Sequence, residues 1–364
     1  ADTVGVTAGG VEQFRFGSNP IPGGEKNLVL NGNFTVAQRG TVTSPANAAY
    51  LTDQWKNFQT TGGAVTVTQD TSGIFAAFGT ATSMKIDVTT AESSVASGDR
   101  FVVAQPIEAQ NLQHLKYGLA GAEAITVSFC FRSPKSGTHY VAIYQADGDR
   151  YIWRPFTVAS ADTAEQFSLT FAADTGGTIN NDTGIGLFLY FPLMAGSSFE
   201  AGSDNTWASG EKYGAATIQN LLDNTSNNIY IGLVQLEVGS VATDFAHEDI
   251  GTTLNKCLRY FEYQSYVVNT FVAIGFSNTT TSQQCTLQFT EKRASGPTIA
   301  VSTASQFEVN RQGTDVACTA ISGSGASKVG MTFIATVSSG LTVGEAAAIR
   351  SNNSGNFVTI SSEL

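Results

Sequence analysis

Three aromatic side chains in the middle of the chain could contact the flat, CH-rich face of a sugar ring. Tyr151 and Trp153 are two positions apart in an alternating segment, so a strand would place both on one face. Trp207 lies in a polar loop beside Asp204 and Asn205, whose carboxylate and amide could hydrogen-bond sugar hydroxyls. Carbohydrate recognition combines such aromatic faces with a few polar groups. These five residues form the candidate carbohydrate-binding site; the alternative is that each ring is covered by its own fold or by a neighbouring subunit.

The sequence gives little support for catalysis. None of its three histidines lies near a Gly-x-Ser-x-Gly or a His-Glu-x-x-His motif. A glycosidase needs two carboxylates that converge across a cleft, and spacing in the sequence does not exclude such a pair. The candidates for such a pair are Asp147, Asp149, Asp204 and Glu211. All four are predicted in loops, where carboxylates are usually solvated turn residues. We therefore predict no catalytic residue and a protein that is not an enzyme.

Composition predicts an all-β fold. Of the 364 residues, 42% are hydrophobic and 10% are aromatic, whereas 13% are charged, roughly half the usual share of about 25%. Uncharged polar residues must therefore cover most of the surface. Together with 37 glycines, such a composition favours short strands and turns over helices. The length allows two or three domains.

Charge and cysteine spacing exclude several classes of protein. A net charge of -11 leaves too few clustered Lys and Arg side chains to bind phosphates, so we expect no nucleic-acid partner. The four cysteines are irregularly spaced, which indicates neither a disulfide framework nor a zinc site but small core residues. We find no apolar run long enough to span a membrane and no secretory pattern at the start. A soluble chain without membrane insertion is the expectation.

Alternating apolar segments predict a succession of short strands. The clearest is a hairpin in which residues 140–145 and 151–158 flank an Asp-Gly turn at 146–149. One helix is predicted around 109–117, ending before Gly118. Further strands are predicted at 65–68, 127–132, 186–193 and 229–238. Because each one-sided sheet must cover its apolar face with another sheet, the pattern predicts a jelly-roll β-sandwich.

Changes in composition and in hydrophobic periodicity divide the chain into three parts. Residues 1–26 are rich in glycine and proline and have no sustained period, which predicts an extended N-terminal arm, either a disordered tail or an anchor held by a partner. Residues 27–249 form the predicted jelly roll. Helical spacing of Leu254, Leu258 and Phe261 then opens residues 250–364, predicted as a smaller C-terminal β-sandwich domain. Its charge-poor surface suits contact with other copies of the chain.

Three stretches resemble the tail-fibre-like and virion-associated proteins of tailed bacteriophages. The first is Asn-Leu-Val-Leu-Asn-Gly-Asn-Phe at 27–34, followed by Gln-Arg-Gly at 38–40. The second is Tyr-Leu-Thr-Asp-Gln-Trp at 50–55, in which Gln54 departs from the family's basic residue and Trp55 is expected in the core. The third and most specific is 232–263, with its Gln-Leu-Glu-Val-Gly-Ser and Cys-Leu-Arg-Tyr-Phe segments. In that family a carbohydrate-binding-module-like jelly roll precedes a small C-terminal β domain.

The resemblance implies a component on the exterior surface of the phage particle. Such proteins are often homotrimers and often present a sugar-binding surface. The first functional hypothesis is a tail fibre or receptor-binding protein that attaches to host-surface glycan, with the N-terminal arm bound to other virion proteins. The alternative is a head fibre or a capsid or tail decoration protein with a mainly structural or display role. Fold-level similarity does not choose between them.

The resemblance also suggests a structural cation. In such modules an ion such as Ca²⁺ often joins the first and last strands, and hard oxygen ligands could come from Asn31, Asn33, Asp53 and Glu237. The alternative for Glu237 is an ion pair with Arg39. No Asp-x-Asp-x-Asp-Gly loop accompanies these residues, and no other cofactor is expected.

Overall fold

Strands dominate the part of the chain that the structure describes, namely residues 4–8, 11–16, 26–216, 218–311 and 314–364. The computed structural model is 46% strand and 7% helix, against a typical strand share of about 20–25% in globular proteins. The all-β prediction is confirmed. None of the helices in these ranges is both long and apolar enough to cross a bilayer.

A two-stranded antiparallel hairpin lies within the predicted N-terminal arm. It consists of β1 (Val4–Ala8) and β2 (Val11–Phe16). The remainder of the predicted arm, apart from Lys26, lies outside the described residues. Anchoring of the arm to a partner stays a prediction.

The jelly roll consists of two antiparallel sheets packed face to face. The seven-stranded sheet has the order β14 (Ala208–Ser209), β11 (Arg150–Val158), β10 (Gly137–Gln145), β13 (Ile185–Ala195), β8 (Arg100–Glu108), β5 (Trp55–Thr60) and β4 (Tyr50–Thr52). The six-stranded sheet has the order β12 (Ala164–Phe171), β9 (Ile125–Arg132), β15 (Asn228–Val238), β7 (Ser83–Thr90), β6 (Ala64–Asp70) and β3 (Val42–Thr43). Their inner faces bury one continuous apolar core, and Trp55 lies within it, fully buried.

The predicted hairpin is confirmed. Strands β10 and β11 pair from Gly137 with Val158 to Gln145 with Arg150, and residues 146–149 form the turn. Asp149 carries the positive φ of 47° that closes this turn. The predicted helix is also present as a 3-10 helix over Ala109–Leu115. Three shorter 3-10 helices are Ala76–Phe78, Ser197–Phe199 and Ala304–Gln306.

The C-terminal part begins with a helix and continues as strands. Helix α1 (Ile250–Leu258) starts at Asp249, whose side chain accepts hydrogen bonds from the backbone N–H groups of Gly251 and Thr252. A three-stranded sheet has the order β16 (Phe261–Tyr266), β24 (Asn356–Ser361) and β19 (Thr298–Val301). A closed barrel has the order β17 (Phe271–Ser277), β18 (Ser282–Gln288), β22 (Gly330–Val337), β21 (Thr314–Ser324), β20 (Phe307–Arg311) and β23 (Ala346–Ser351). The C-terminal part is a β domain as predicted, but its larger sheet closes into a barrel in which every strand is paired on both sides, instead of forming one layer of a sandwich.

Each of these two parts has its own large apolar core. One spans residues 29–236 and the other residues 273–360. The four cysteines are buried free thiols, as the sequence predicted: Cys130, Cys257, Cys285 and Cys318. Burial raises the pKa of the Cys130 thiol to about 12, so this group remains protonated and inert.

The junction between jelly roll and C-terminal part is built around a buried carboxylate. Glu108, at the end of β8, is fully buried and accepts from both Nη2 of Arg259, at 2.9 Å, and the Tyr260 hydroxyl, at 2.8 Å. On the other side of the junction, Gln38 donates through Nε2 to the Phe261 carbonyl oxygen at 3.0 Å. Its Oε1 accepts from the Tyr263 backbone N–H at 3.1 Å. The stretches that carry the phage-protein resemblance therefore meet at this junction.

Candidate functional site

The predicted aromatic pair on β11 is covered by a loop of its own chain. Trp153 and Tyr151 share the outer face of the seven-stranded sheet, but they are only 4% and 3% exposed. The Trp153 Nε1–H donates to the Ala201 carbonyl oxygen at 2.8 Å, and Gly202 lies against the Tyr151 ring. Neither ring is available as an open sugar platform. This corrects the sequence-based assignment, because alternation placed the two rings on one face but did not reveal the loop above them.

The predicted polar loop around Trp207 also binds its own chain. Trp207 is half-buried against the core, and its Nε1–H donates to the Ala172 carbonyl oxygen at 2.7 Å. Asn205 accepts from the Ala172 backbone N–H at 2.8 Å, and Asp204 pairs with the Arg154 Nε at 2.8 Å. These three candidates therefore attach the loop to the end of β12 and to β11. Trp207 and Asn205 nevertheless remain half-buried and Asp204 exposed, so a contact of these three residues with sugar stays a prediction.

The four predicted calcium ligands are engaged by donors of their own chain. The Asp53 carboxylate accepts from the backbone N–H of Gln38 at 2.7 Å and from its Nε2 at 2.5 Å. Asn31 donates from Nδ2 to the backbone carbonyl oxygen of Asp53, and its Oδ1 accepts from the Val36 N–H. Each oxygen therefore already faces a donor of the chain.

The remaining two predicted ligands are engaged in the same way. Asn33 Oδ1 accepts from the Thr80 hydroxyl, and Glu237 accepts from both the backbone N–H and the hydroxyl of Thr243. The expected alternative pair of Glu237 with Arg39 is also absent, because Arg39 pairs with Glu363. Within the described ranges no three His, Cys, Asp or Glu side chains are grouped to hold a metal. The residues present do not fit a calcium site.

A different set of rings lies on the outer face of the seven-stranded sheet. We call Phe58, Tyr144, Phe188 and Tyr190 the aromatic face. Phe188 and Tyr190 are parallel with centroids 5.3 Å apart, and Tyr144 lies parallel to both at 6.3 Å. The Phe58 ring meets Phe188 and Tyr190 edge-on at 5.4 and 6.0 Å. Phe188 and Tyr190 are buried while Phe58 and Tyr144 are half-buried, so solvent reaches the cluster through the latter two rings.

A polar border adjoins the aromatic face. Glu211 Oε1 accepts from the hydroxyls of Tyr190 and Tyr213, each at 2.9 Å, and Oε2 accepts from the Arg100 Nη1 at 3.1 Å. The Glu211 side chain remains 29% exposed and the Arg100 side chain 17% exposed. The guanidinium carbon of Arg100 lies 5.5 Å from the Phe58 ring centre, and the Lys56 Nζ lies 5.4 Å from it. A carboxylate and a guanidinium group thus adjoin the half-buried rings, whereas Lys56 is buried and donates from Nζ to the Leu364 carbonyl oxygen at 3.1 Å.

Burial sets the protonation of the tyrosines at this border. Burial and the hydrogen bond to Asp149 raise the pKa of Tyr144 to about 12. Burial and the charge of Glu211 likewise raise the pKa of Tyr190 and of Tyr213 well above the ordinary value. All three hydroxyls therefore remain protonated donors over the physiological range.

The conceivable catalytic carboxylates are engaged by their own chain. Asp147 accepts from the Asn180 backbone N–H at 2.9 Å, and Asp149 accepts from the Tyr144 hydroxyl at 2.9 Å. Asp204 and Glu211 have the partners given above. Each of the four carboxylates therefore has a partner within the chain. These contacts do not place two of the carboxylates opposite each other across a cleft, as an acid and a base of a glycosidase would be.

The aromatic face was not predicted from the sequence, although the alternation of two of its residues was visible there. Phe188 and Tyr190 alternate within the predicted strand 186–193, so their shared face could have been inferred. Phe58, Arg100 and Glu211 come from distant parts of the chain. They meet only because β5, β8 and β13 are neighbours in the sheet.

A second concave surface lies at the junction. It consists of two adjoining cavities of about 540 and 180 Å³, which share Leu30 and Lys256 in their walls. The larger lies between β8, the 109–115 helix and α1, and the smaller between residues 26–35 and the segment 245–256. We call the two cavities together the junction groove.

Comparisons with known proteins found structural similarity only. No family model and no curated protein matches this chain. The enzymatically active domain of tailspike protein 4 of bacteriophage CBA120 is similar at 13% identity and a TM-score of 0.32; the match covers 58% of this chain and 21% of that one. A CBM4 structure matches at 13% identity and a TM-score of 0.30, with 57% of this chain and 97% of that one covered.

A family 11 carbohydrate-binding module from Clostridium thermocellum, in complex with a mixed-linked tetrasaccharide, gives similar values. It is 10% identical, covers 55% of this chain and 98% of that one, and has a TM-score of 0.27. The structural neighbours thus include carbohydrate-binding modules and a phage tailspike domain. At TM-scores this low, what this chain does must be inferred from its own residues.

Proposed function

We propose that this chain is a non-catalytic structural protein of a tailed bacteriophage particle that binds glycan through the aromatic face of its jelly roll. The observation that carries the proposal is the combination of half-buried Phe58 and Tyr144 with the polar border of Glu211 and Arg100. Aromatic rings contact the CH groups of sugars, while carboxylate and cationic groups hydrogen-bond their hydroxyls. Because parallel stacking already holds most of the ring area rigid, binding costs little side-chain conformational entropy.

The proposed place of the chain is the exterior of the virion, as a tail fibre or receptor-binding protein. The three stretches that resemble phage fibre-like proteins support it, and so does the low charge content of the surface. A head fibre or decoration protein is the second candidate, and it requires no sugar affinity. Labelling of intact particles with an antibody against this chain, viewed by electron microscopy, tests the location.

Replacement of Tyr144 by alanine is expected to weaken glycan binding about five- to tenfold. The change removes one of the two rings through which the aromatic face meets solvent, and an aromatic contact of this kind contributes on the order of 1–1.5 kcal/mol. A glycan array identifies the bound sugar, and isothermal titration calorimetry of wild type and variant with that sugar gives the two affinities.

Tyr230→Ala is the matched control for this variant. Tyr230 is also half-buried, but it lies on β15 of the six-stranded sheet, where it stacks with Arg132. The control variant should bind as wild type does. Equal affinity of wild type and Tyr144→Ala would refute the aromatic face as the site, and an array with no bound glycan would favour the decoration role instead.

We further propose that copies of the chain associate through the barrel, as a homotrimer. Eight of the eleven exposed large hydrophobic side chains of the described residues lie after residue 260. Ile274 and Phe276, 71% and 50% exposed, share the outer face of β17, next to Ala348 and Ala346 of β23. Exposed apolar surface free of charge is typical of protein–protein contacts.

The double variant Ile274→Asp/Phe276→Asp should be monomeric, because two buried charges at the interface would have no partners. Multi-angle light scattering at micromolar concentration measures the mass of each protein. Leu119→Asp, which changes a 61% exposed leucine of the jelly roll, should retain the wild-type mass. A wild-type mass of one chain contradicts the association.

A further inference from the structure

The junction groove differs in charge from the rest of the molecule. The whole chain has 30 acidic and 19 basic side chains, plus three histidines. The cavity walls nevertheless include three of the basic side chains and two of the histidines, against two acidic side chains. The cationic residues and histidines are Lys26, His114, His247, Lys256 and Arg259. Lys256 and Arg259 pair with the two acidic side chains, so Lys26 supplies the excess positive charge of the groove, which favours an anionic occupant.

The two acidic side chains of the groove are already neutralised within the chain. Glu108 is held by the Arg259 guanidinium and by the Tyr260 hydroxyl. Glu248 pairs with Lys256 and accepts from the Thr253 hydroxyl at 2.9 Å. Neither carboxylate therefore projects an uncompensated negative charge toward a ligand.

The remaining cationic and donor groups lie at the two ends of the groove. Lys26 borders the smaller cavity and donates to a neutral acceptor, the Asp244 carbonyl oxygen, at 2.9 Å. His114 and Asn111 border the larger cavity from the 109–115 helix, and both are exposed. Half-buried Leu28 and Leu30, together with Pro106, give the larger cavity an apolar wall. Its volume of about 540 Å³ lies within the roughly 300–1,000 Å³ of small-molecule sites.

We propose that the junction groove is a second saccharide site, selective for a sugar that carries an anionic group, either a carboxylate or a phosphate. The apolar wall contacts the ring, Asn111 and His114 hydrogen-bond its hydroxyls, and Lys26 attracts its charge. Because residues 26–35 and the 109–115 helix belong to the jelly roll while α1 precedes the barrel, a bound sugar contacts both parts of the chain. The site is separate from the aromatic face and does not depend on it.

The test uses the full chain and three probes: trigalacturonate for the carboxylate, glucose 6-phosphate for the phosphate and maltotriose as the neutral sugar. Isothermal titration calorimetry should give an affinity for at least one acidic probe about tenfold above that for maltotriose. The affinity should fall as the salt concentration rises, because salt screens the attraction. Which acidic probe binds identifies the source of the charge.

Single variants Lys26→Gln and His114→Gln test the two ends of the groove. Neither side chain is buried, so both variants should fold, and at least one should lose most of the preference for the acidic probe. Lys85→Gln, on β7 of the six-stranded sheet, is the matched control and should keep that preference. The proposal is overturned if neither acidic probe binds better than maltotriose, if both groove variants bind as wild type does, or if Tyr144→Ala abolishes acidic binding.

Discussion

Replacement of Glu108 by alanine should lower the free energy of unfolding by about 3–5 kcal/mol, the usual cost of removing one partner from a buried ion pair. The side chain is fully buried and accepts from Arg259 and Tyr260. Its loss leaves a guanidinium group and a buried hydroxyl without their acceptor. Because these bonds join the jelly roll to the C-terminal part, the two parts should also unfold less cooperatively. In differential scanning calorimetry the wild type should show either one transition or two closely spaced transitions. The Glu108→Ala variant should show two clearly separated transitions.

Glu108→Gln is the control for this prediction. The amide keeps the shape and one acceptor oxygen, so we expect a smaller loss of stability than for alanine. A Glu108→Ala protein that melts as wild type does would mean that the junction does not depend on this carboxylate. Glycan binding at the aromatic face should be unchanged in both variants while the protein is folded.

Replacement of Trp153 by alanine should destabilise the jelly roll by about 3–5 kcal/mol, as large aromatic truncations in cores do. The indole ring is 4% exposed, packs edge-on against Tyr140 at 5.4 Å and donates to the Ala201 carbonyl oxygen. Its removal leaves a cavity and an unpaired carbonyl group. Chemical denaturation followed by circular dichroism measures the change.

The role of Trp153 in binding is separated from its role in folding by a second variant. Trp153→Phe retains a ring and loses the hydrogen bond, so it should cost less stability and keep the glycan affinity of wild type. A stable Trp153→Phe protein that had lost glycan binding would instead restore Trp153 as a contact residue. The comparison with Tyr144→Ala then separates a ring that supports the loop from a ring that meets the ligand.

Sequence patterns predicted those helices and strands that depend only on neighbouring residues. The β10–β11 hairpin follows from alternation on both sides of a four-residue turn, and the 109–115 helix from a short periodic stretch before a turn. Leu254 and Leu258 lie in α1 as expected, but Phe261 belongs to β16. Periodicity alone does not reveal where a helix stops when a strand with its own apolar residues follows directly.

The candidate site could not be predicted in the same way, because it depends on strand order. Phe58 meets Phe188 across β8, which separates their strands in the sheet. Residue type was equally insufficient for the supposed calcium ligands. Asn31 and Asp53 have the oxygen atoms that a cation prefers, but the N–H groups of Val36 and Gln38 already occupy them. A sequence lists acceptors without showing which donors the fold brings to them.

The strand order also affects whether the chain aggregates at high concentration. The barrel has no edge strand, and three of the four edges of the jelly-roll sheets are strands of two or three residues, β14, β4 and β3. Long exposed edges template strand addition and aggregation. With most of its jelly-roll edges this short, the protein should remain dispersed at the high local concentration of a repetitive array, where neighbouring copies should contact one another mainly through side chains.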